Sequence, residues 1–504
     1  MNILVYSHTP LWEEQHAQTI EICLKHLKLN DNVIILSCDS SLDGCPANIK
    51  KNINLCNKCI KQKVRTKNII LENKVKHIEL EIQNINNDLK IKNLDEFTNY
   101  KFENVPFGQI VLSTLITDDF KSSYFNFEDI KKINGLEKLN TSINLYHRVK
   151  SIIKEHNIDR LYVWNGRRSS DATVNYAAKN LNIEFFSYIS GGMKGKYQIE
   201  PTISTLDIES YKKLMEKFYE THKENNTLSE FEEEGLKHFH FLKDGKNDGK
   251  AYGLKQFSIN FDKKNTFIEK NRKKNIAIFP GSNWEYLGFS QGLNKINDKD
   301  FNQYDFLEKI LKDKFIKDNF NLYVRWHPFL GQAGLKEKIK INEITNKYSH
   351  VNFYSPESKV NSYNLLDFSN IVISFGSTIG VEATLYGKPS ILFGRTFWED
   401  SGAAYKVSNL DDLSSILKKD TLPPKPYINA LKEGYYQRHR GRETYKHIRF
   451  DNEQRCYLNK KRIKNITSLN KIFEKIKIVI KSNDKLYKFI YIYLLNKIKK
   501  KYYK

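Results

Sequence analysis

The chain has 504 residues, too many for one ordinary core, and at about 150 residues per domain two or three are expected. With 40% hydrophobic and 13% aromatic residues it can bury real cores, which sets disorder aside. The net charge of +23 is largely local: Lys460 to Lys504 holds 15 basic residues against Glu474 and Asp484, so the rest carries only +10, and with no nucleic-acid motif beside it that partner is not expected.

The opening MNILVYSHTP enters an apolar strand without a basic stretch and cleavage site, and the apolar run from Phe489 to Asn496 is far shorter than the roughly 20 residues that span a bilayer. A cytoplasmic protein, peripheral on the inner face of a bacterial membrane, is therefore expected. Residues 2 to 6 read as a buried strand. Ile20, Cys23, Leu24 and Leu27 mark a helix, and 32 to 38 a second strand, so the chain opens β-α-β as a doubly wound domain does. From about 61 to 144 the pattern turns polar and helical, which predicts an insertion. Strand character returns at 160 to 166, a helix follows over 171 to 181, and 183 to 189 is a further strand. Between Tyr211 and Lys274 the sequence is charged and punctuated by Gly245, Gly249 and Gly253; the domain linker is expected near its end. Five short apolar strands then alternate with helix-length segments, at 275 to 282, 321 to 328, 351 to 356, 370 to 378 and 389 to 394, which specifies a second parallel sheet. The predicted organisation is an N-terminal α/β domain over 1 to 265, a C-terminal α/β domain over 266 to 455, and a basic amphipathic helical tail over 456 to 504 suited to an anionic membrane surface.

The chemistry concentrates at strand ends. Ser374, Gly376, Ser377 and Thr378 fall between a buried strand and a helix, where free backbone N–H groups, hydroxyls and the positive helix end suit a phosphate. Glu382, one turn further, can accept ribose hydroxyls; an ordinary capped turn is the plainer reading. Arg325 and His327 end another strand, where Pro328 forces the chain to turn. Gly281 and Ser282 end a third. Three such loops on one sheet edge describe a nucleotide pocket.

At VRWHP (324 to 328) and SFGSTIGVEATLYGKPSILFG (374 to 394), with weaker support from YVWNGR (162 to 167), the chain resembles the bacterial capsular-polysaccharide glycosyltransferases of the GT-B fold, the Kdo- and sialic-acid-transferase-like enzymes. The resemblance implies two Rossmann-like domains and a nucleotide-sugar held by His327, Ser377 and Thr378, with a CMP-sugar favoured and a UDP-sugar open. It also implies transfer to a surface carbohydrate or glycolipid acceptor, inverting and without a metal at the reaction centre. Inversion calls for a base near the acceptor hydroxyl. His16, whose offset to Leu27 is similar to the His of plant-type GT-B enzymes, and Glu14 are the candidates, with Glu13 and His8 as rivals in the same loop. Arg167 and Arg168 could meet an acidic sugar or lipid phosphate. Cys38, Cys45, Cys56 and Cys59 could enclose a structural zinc or, less readily, an iron–sulfur cluster, or could be plain thiols. The competing functions are a UDP-sugar 2-epimerase-like enzyme on the same scaffold and a non-catalytic membrane-surface protein.

Overall fold

The computed structural model describes residues 1–464 except 43–44, 73, 245–266, 268–271, 289–294, 297–298, 301 and 453–454. The expected linker near residue 265 and the tail from residue 465 onward lie outside the described residues.

The first sheet is built from β1 (Asn2–Ser7), β2 (Asn32–Ser37), β3 (Lys76–Glu79), β4 (Arg160–Trp164), β5 (Glu184–Ser190) and β6 (Lys196–Glu200). The second comprises β7 (Lys274–Phe279), β10 (Phe320–Arg325), β11 (Asn352–Tyr354), β12 (Ile371–Ser374), β13 (Ser390–Phe393) and β14 (Tyr405–Val407), with a small β8 (Lys295–Ile296) and β9 (Lys299–Asp300) ladder outside it. After these come β15 (Glu443–Thr444), β16 (Ile448–Phe450), β17 (Cys456–Leu458) and β18 (Lys461–Arg462). The sheet orders are β15-β6-β5-β4-β1-β2-β3 and β11-β10-β7-β12-β13-β14. All pairings in the second sheet are parallel, whereas β5–β6 and β6–β15 in the first are antiparallel. The strands are near-continuous apolar runs because helices cover both faces of a parallel sheet: Ile3, Leu4, Val5 and Tyr6 are wholly buried, as are Ile276, Ala277 and Ile278.

The stretch expected as a purely helical insertion contains an edge strand, β3, which pairs with β2 from Ile34↔Lys76 to Ser37↔Glu79. An edge strand buries little, so KHIE carries no apolar run to betray it. The same stretch also joins the halves. Ile116 belongs to the second half's hydrophobic core. The Lys121 carbonyl accepts from Gly334 N at 2.9 Å. Buried Glu337 accepts from Ser123 N at 2.7 Å, from the Ser122 hydroxyl at 3.3 Å and from Tyr304 OH at 2.6 Å, and burial raises its pKa. Gly334 is required there, since a Cβ would stand 2.1 Å from the Phe120 carbonyl oxygen.

The chain then returns to its beginning. The helix Tyr427–His439 packs on the helices Ile208–Glu224 and Leu228–Lys243, and β15 adds to the free edge of β6. The crossing is tight: Gly441 has φ +87, and a Cβ on it would sit 3.0 Å from Gly191 Cα. Beyond it, the Glu21 carboxylate accepts from the N–H groups of Lys446, His447 and Ile448, and Glu13 pairs with Arg462, docking β16–β18 on the helix Glu13–Lys28. No described helix is long and apolar enough to cross a membrane.

Candidate functional site

In open parallel sheets ligands bind beyond the carboxyl ends of the strands. At that edge of the second sheet β12 runs through Phe375 and Gly376, φ +82, into the helix Ile379–Leu385. Ser377 is half-buried and Thr378 exposed, as a phosphate-facing loop requires. Glu382 is buried beneath them; burial raises its pKa, and the Tyr363 and Thr378 hydroxyls oppose the rise. One of its oxygens, Oε2, has no partner in hydrogen-bonding geometry. Ser374 points into packing instead: it is 0% exposed, and a Cβ on Gly380 would lie 2.3 Å from its hydroxyl.

The other two loops are equipped differently from the simple reading of their residues. Gly281 offers neither backbone group, because Gln303 accepts from its N–H at 2.9 Å and donates to its carbonyl at 2.7 Å. Ser282 beside it is buried, at the start of the helix Asn283–Gly288. The Arg325 guanidinium donates to the carbonyls of Trp326 at 2.7 Å, Ser355 at 2.6 Å and Ser358 at 3.1 Å, and burial lowers its pKa to about 10. It therefore fixes the loop after β11. His327 is half-buried, and its Nδ1 accepts from Phe329 N at 3.2 Å, capping the turn Pro328–Gln332. This places the ring proton on Nε2. Burial, and then the Arg325 charge, lower its pKa to about 4, so it is a neutral donor at neutral pH. One strand, β7, separates β10 from β12, so the His327 and Ser377 loops stand roughly 10 Å apart in backbone terms.

At the carboxyl edge of the first sheet, Arg168 is ion-paired with Asp118 at 2.9 Å, and Arg167 donates to the Thr117 hydroxyl at 2.7 Å. Burial and then Arg168 lower the Arg167 pKa to about 10, while Glu285 of the second half pulls it up; Glu285 in turn has its pKa raised by burial and lowered by Ser282 and Arg167. The charges of the two residues, one from each half, thus act on each other. The two proposed bases separate. His16 is 3% exposed, with Nε2 against Thr66 Oγ1 at 2.6 Å, and burial lowers its pKa to about 3. Glu14 is half-buried in the first turn of the same helix; burial raises its pKa, opposed by the Ser190 hydroxyl at the end of β5 and the Arg440 charge.

Sequence reasoning treated His8 as a minor rival and missed its partner. Its Nε2 lies 3.1 Å from Asp171 Oδ1, both groups buried, with Tyr6 stacked on the ring at 4.9 Å. Burial pushes Asp171 up and His8 down, favouring the neutral form of each. The only signal was that β1 and β4 would be neighbours, which puts the residues after each side by side. The four clustered cysteines line one cavity together with His8. Yet among the described residues no three of His, Cys, Asp or Glu are arranged to hold a metal ion. The thiols are thus gathered, but not as a ligand set for the zinc that was one of their readings.

No family model matches this chain, and no curated protein matches it. Solved structures similar to it include the Thermosulfurimonas dismutans KpsC beta Kdo 2,4 transferase, at 12% identity and TM-score 0.33, over 55% of this chain and 79% of that one. The beta Kdo 2,7 transferase of the same KpsC gives 14% and 0.33, over 66% and 89%. A UDP-GlcNAc 2-epimerase from Neisseria meningitidis bound to UDP-GlcNAc gives 11% and 0.25, over 88% and 96%. Transferases and an epimerase stand side by side at this distance, and neither reaction is assigned by the likeness.

Proposed function

We propose that this protein transfers a glycosyl group from a nucleotide-sugar, held at the carboxyl edge of the second sheet, to a carbohydrate or glycolipid acceptor at the carboxyl edge of the first. The observation that carries the reading is what the two edges hold: hydroxyls, an oriented imidazole and the helix end Ile379–Leu385 on one, ionisable groups on the other, with the charges of Arg167 and Glu285 acting on each other. Ser377, Thr378 and the His327 Nε2–H would receive the diphosphate or phosphate, and buried Glu382 lies one turn beneath. Helix dipole and neutral donors can stabilise a departing phosphate without a metal. Glu14 is the proposed base: a carboxylate whose pKa burial has raised removes a proton from a hydroxyl better than an ordinary one. His16 is left out because Thr66 holds it inside the fold. Arg167 and Arg168 are proposed to orient an acidic acceptor, and the basic tail to keep the protein at an anionic membrane face.

The test is a thermal-shift series with CMP, UDP, GDP and ADP on the full chain. One nucleotide should stabilise selectively, CMP first by the resemblance of the His327 and Ser377 loops, and at 100 times its dissociation constant the gain is about 2.7 kcal/mol. Transfer to an added glycan, rather than isomerisation of the free sugar nucleotide, then separates this reaction from an epimerase. Absence of any nucleotide-induced shift at millimolar concentration would end the proposal.

A further inference from the structure

Beyond the carboxyl ends of β1 and β2 lies a cavity of about 150 Å³ that the proposed transfer leaves unused. Its wall includes the aliphatic side chains of Leu11, Leu42 and Ile60 and the thiols of Cys38, Cys45, Cys56 and Cys59. All four cysteines are free. Burial, with the neighbouring thiols adding to it, pushes Cys45 and Cys59 up to about 12. Such thiols stay protonated and behave as small, polarisable apolar groups, unsuited to redox sensing, which needs an accessible thiolate. Nor do they form a metal-holding group with any other described side chain. The lining is therefore soft and apolar over much of its extent, with Ser40, Ser41, Asn48 and Lys51 completing it.

His8 breaks that uniformity. Its ring is part of the same wall, and Asp171 engages its Nε2 from behind at 3.1 Å. Nδ1 is the ring nitrogen left for a ligand, held in orientation by the carboxyl group and by the Tyr6 stack. A hydroxyl suits it whichever partner supplies the proton, because a hydroxyl both donates and accepts. A largely apolar cavity of about 150 Å³ is the size that takes one benzene-sized molecule.

We propose that this cavity binds a compact apolar group of about the bulk of a six-membered ring carrying a single hydroxyl, with the ring among the thiols and aliphatic side chains and the hydroxyl on His8. Its use as the seat for the apolar end of an acceptor rests on the proposed transfer; the binding itself does not.

Phenol and benzene are the probes, and the readout is the rate at which maleimide labels Cys56, a half-buried thiol of the lining, in the full-length protein, followed by mass spectrometry. Both probes should slow labelling several-fold, and phenol should bind about two- to tenfold more tightly, the range one hydrogen bond supplies. His8→Phe should erase the advantage of phenol while benzene still protects. Ile53→Trp, at an exposed rim position, should remove protection by both without lowering the melting temperature. No protection by either probe overturns the proposal, as does protection by zinc chloride in the absence of protection by phenol. The nucleotide-induced thermal shift is measured separately. Its loss alone strikes the transfer, and loss of protection alone strikes the cavity.

Discussion

The carboxyl edges of the two sheets are made in opposite ways. On the second sheet the charged and backbone groups nearest the strand ends serve the loops themselves: Arg325 is held by three carbonyls, Gln303 satisfies both polar groups of Gly281, and Ser374 is packed under Gly380. The candidate phosphate donors left there are neutral, the Ser377 and Thr378 hydroxyls and the His327 imidazole, and the ionisable Glu285 acts on Arg167 of the first half. On the first sheet the ionisable groups are themselves the equipment, half-buried at Glu14 and Arg167, fully buried at His8 and Asp171. A rigid neutral cradle suits a ligand that brings its own charge, whereas burial on the other edge tunes proton affinity.

The largest expected effect tests the first edge. Glu14→Gln should lower transfer by about 10²- to 10⁴-fold, the range of general-base catalysis, and leave the nucleotide-induced thermal shift in place. Because burial raises the Glu14 pKa, the wild-type rate should climb with pH over a range above that of an ordinary carboxylate, and the variant should lose that limb. An unchanged rate in the variant would take proton transfer away from this edge.

Acidification should come next, and it acts on stability. His16 and His327 are depressed to about 3 and about 4 by burial, against about 6.5 in the unfolded chain. The unfolded state therefore binds protons first as pH falls below 6.5, and stability present at neutral pH is lost progressively down to about 4, by on the order of a few kcal/mol. His8 does not add to this, since the Asp171 shift has the opposite sign. Buried carboxyls with raised pKa, Glu337 and Glu382 among them, act with the opposite sign, so the test is a difference: between pH 7.5 and 4.5 the melting temperature of His16→Gln should fall less below 6.5 than that of the wild type, and parallel curves would mean that the ring is solvated.

Arg325→Met should cost about 2 kcal/mol in denaturant unfolding, because buried carbonyls of Trp326, Ser355 and Ser358 lose their donor. Its effect on nucleotide affinity should be secondary to that loss. Ser377→Ala is the smallest change: about two- to tenfold weaker nucleotide binding by calorimetry, with no change in melting temperature without ligand. If Arg325→Met instead abolished binding in a stably folded protein, the neutral description of the second edge would fail.

Much of this plan was legible in the residues. Apolar runs located β1, β2, β4, β5, β7, β10, β12 and β13, because strands buried on both faces have no polar alternation to blur them. The Ser377–Thr378 loop and its helix were legible for the same reason, as punctuation after such a run. The edge strands β3 and β15 were not, since they bury too little, nor was β6, which lies inside the sheet but reads KYQIE, without an apolar run. Partnership was least visible. That Gln303 would take up Gly281, that Thr66 would hold His16, and that Asp171 would sit behind His8 all depend on contacts 22, 50 and more than 160 positions apart, which periodicity cannot report.

The return of the chain to β6 also sets a schedule for its making. β6 ends at Glu200, and its partner β15 begins at Glu443, so a ribosome working at about 5 to 20 residues per second leaves that edge unpaired for roughly 12 to 50 s. Through the same interval the Glu21 carboxylate waits for the N–H groups of Lys446, His447 and Ile448. The nascent first half thus emerges early and is finished last. An exposed strand edge on it is an invitation to pair with another chain, and premature release of the polypeptide anywhere before residue 443 should leave a fragment that is caught by chaperones or aggregates.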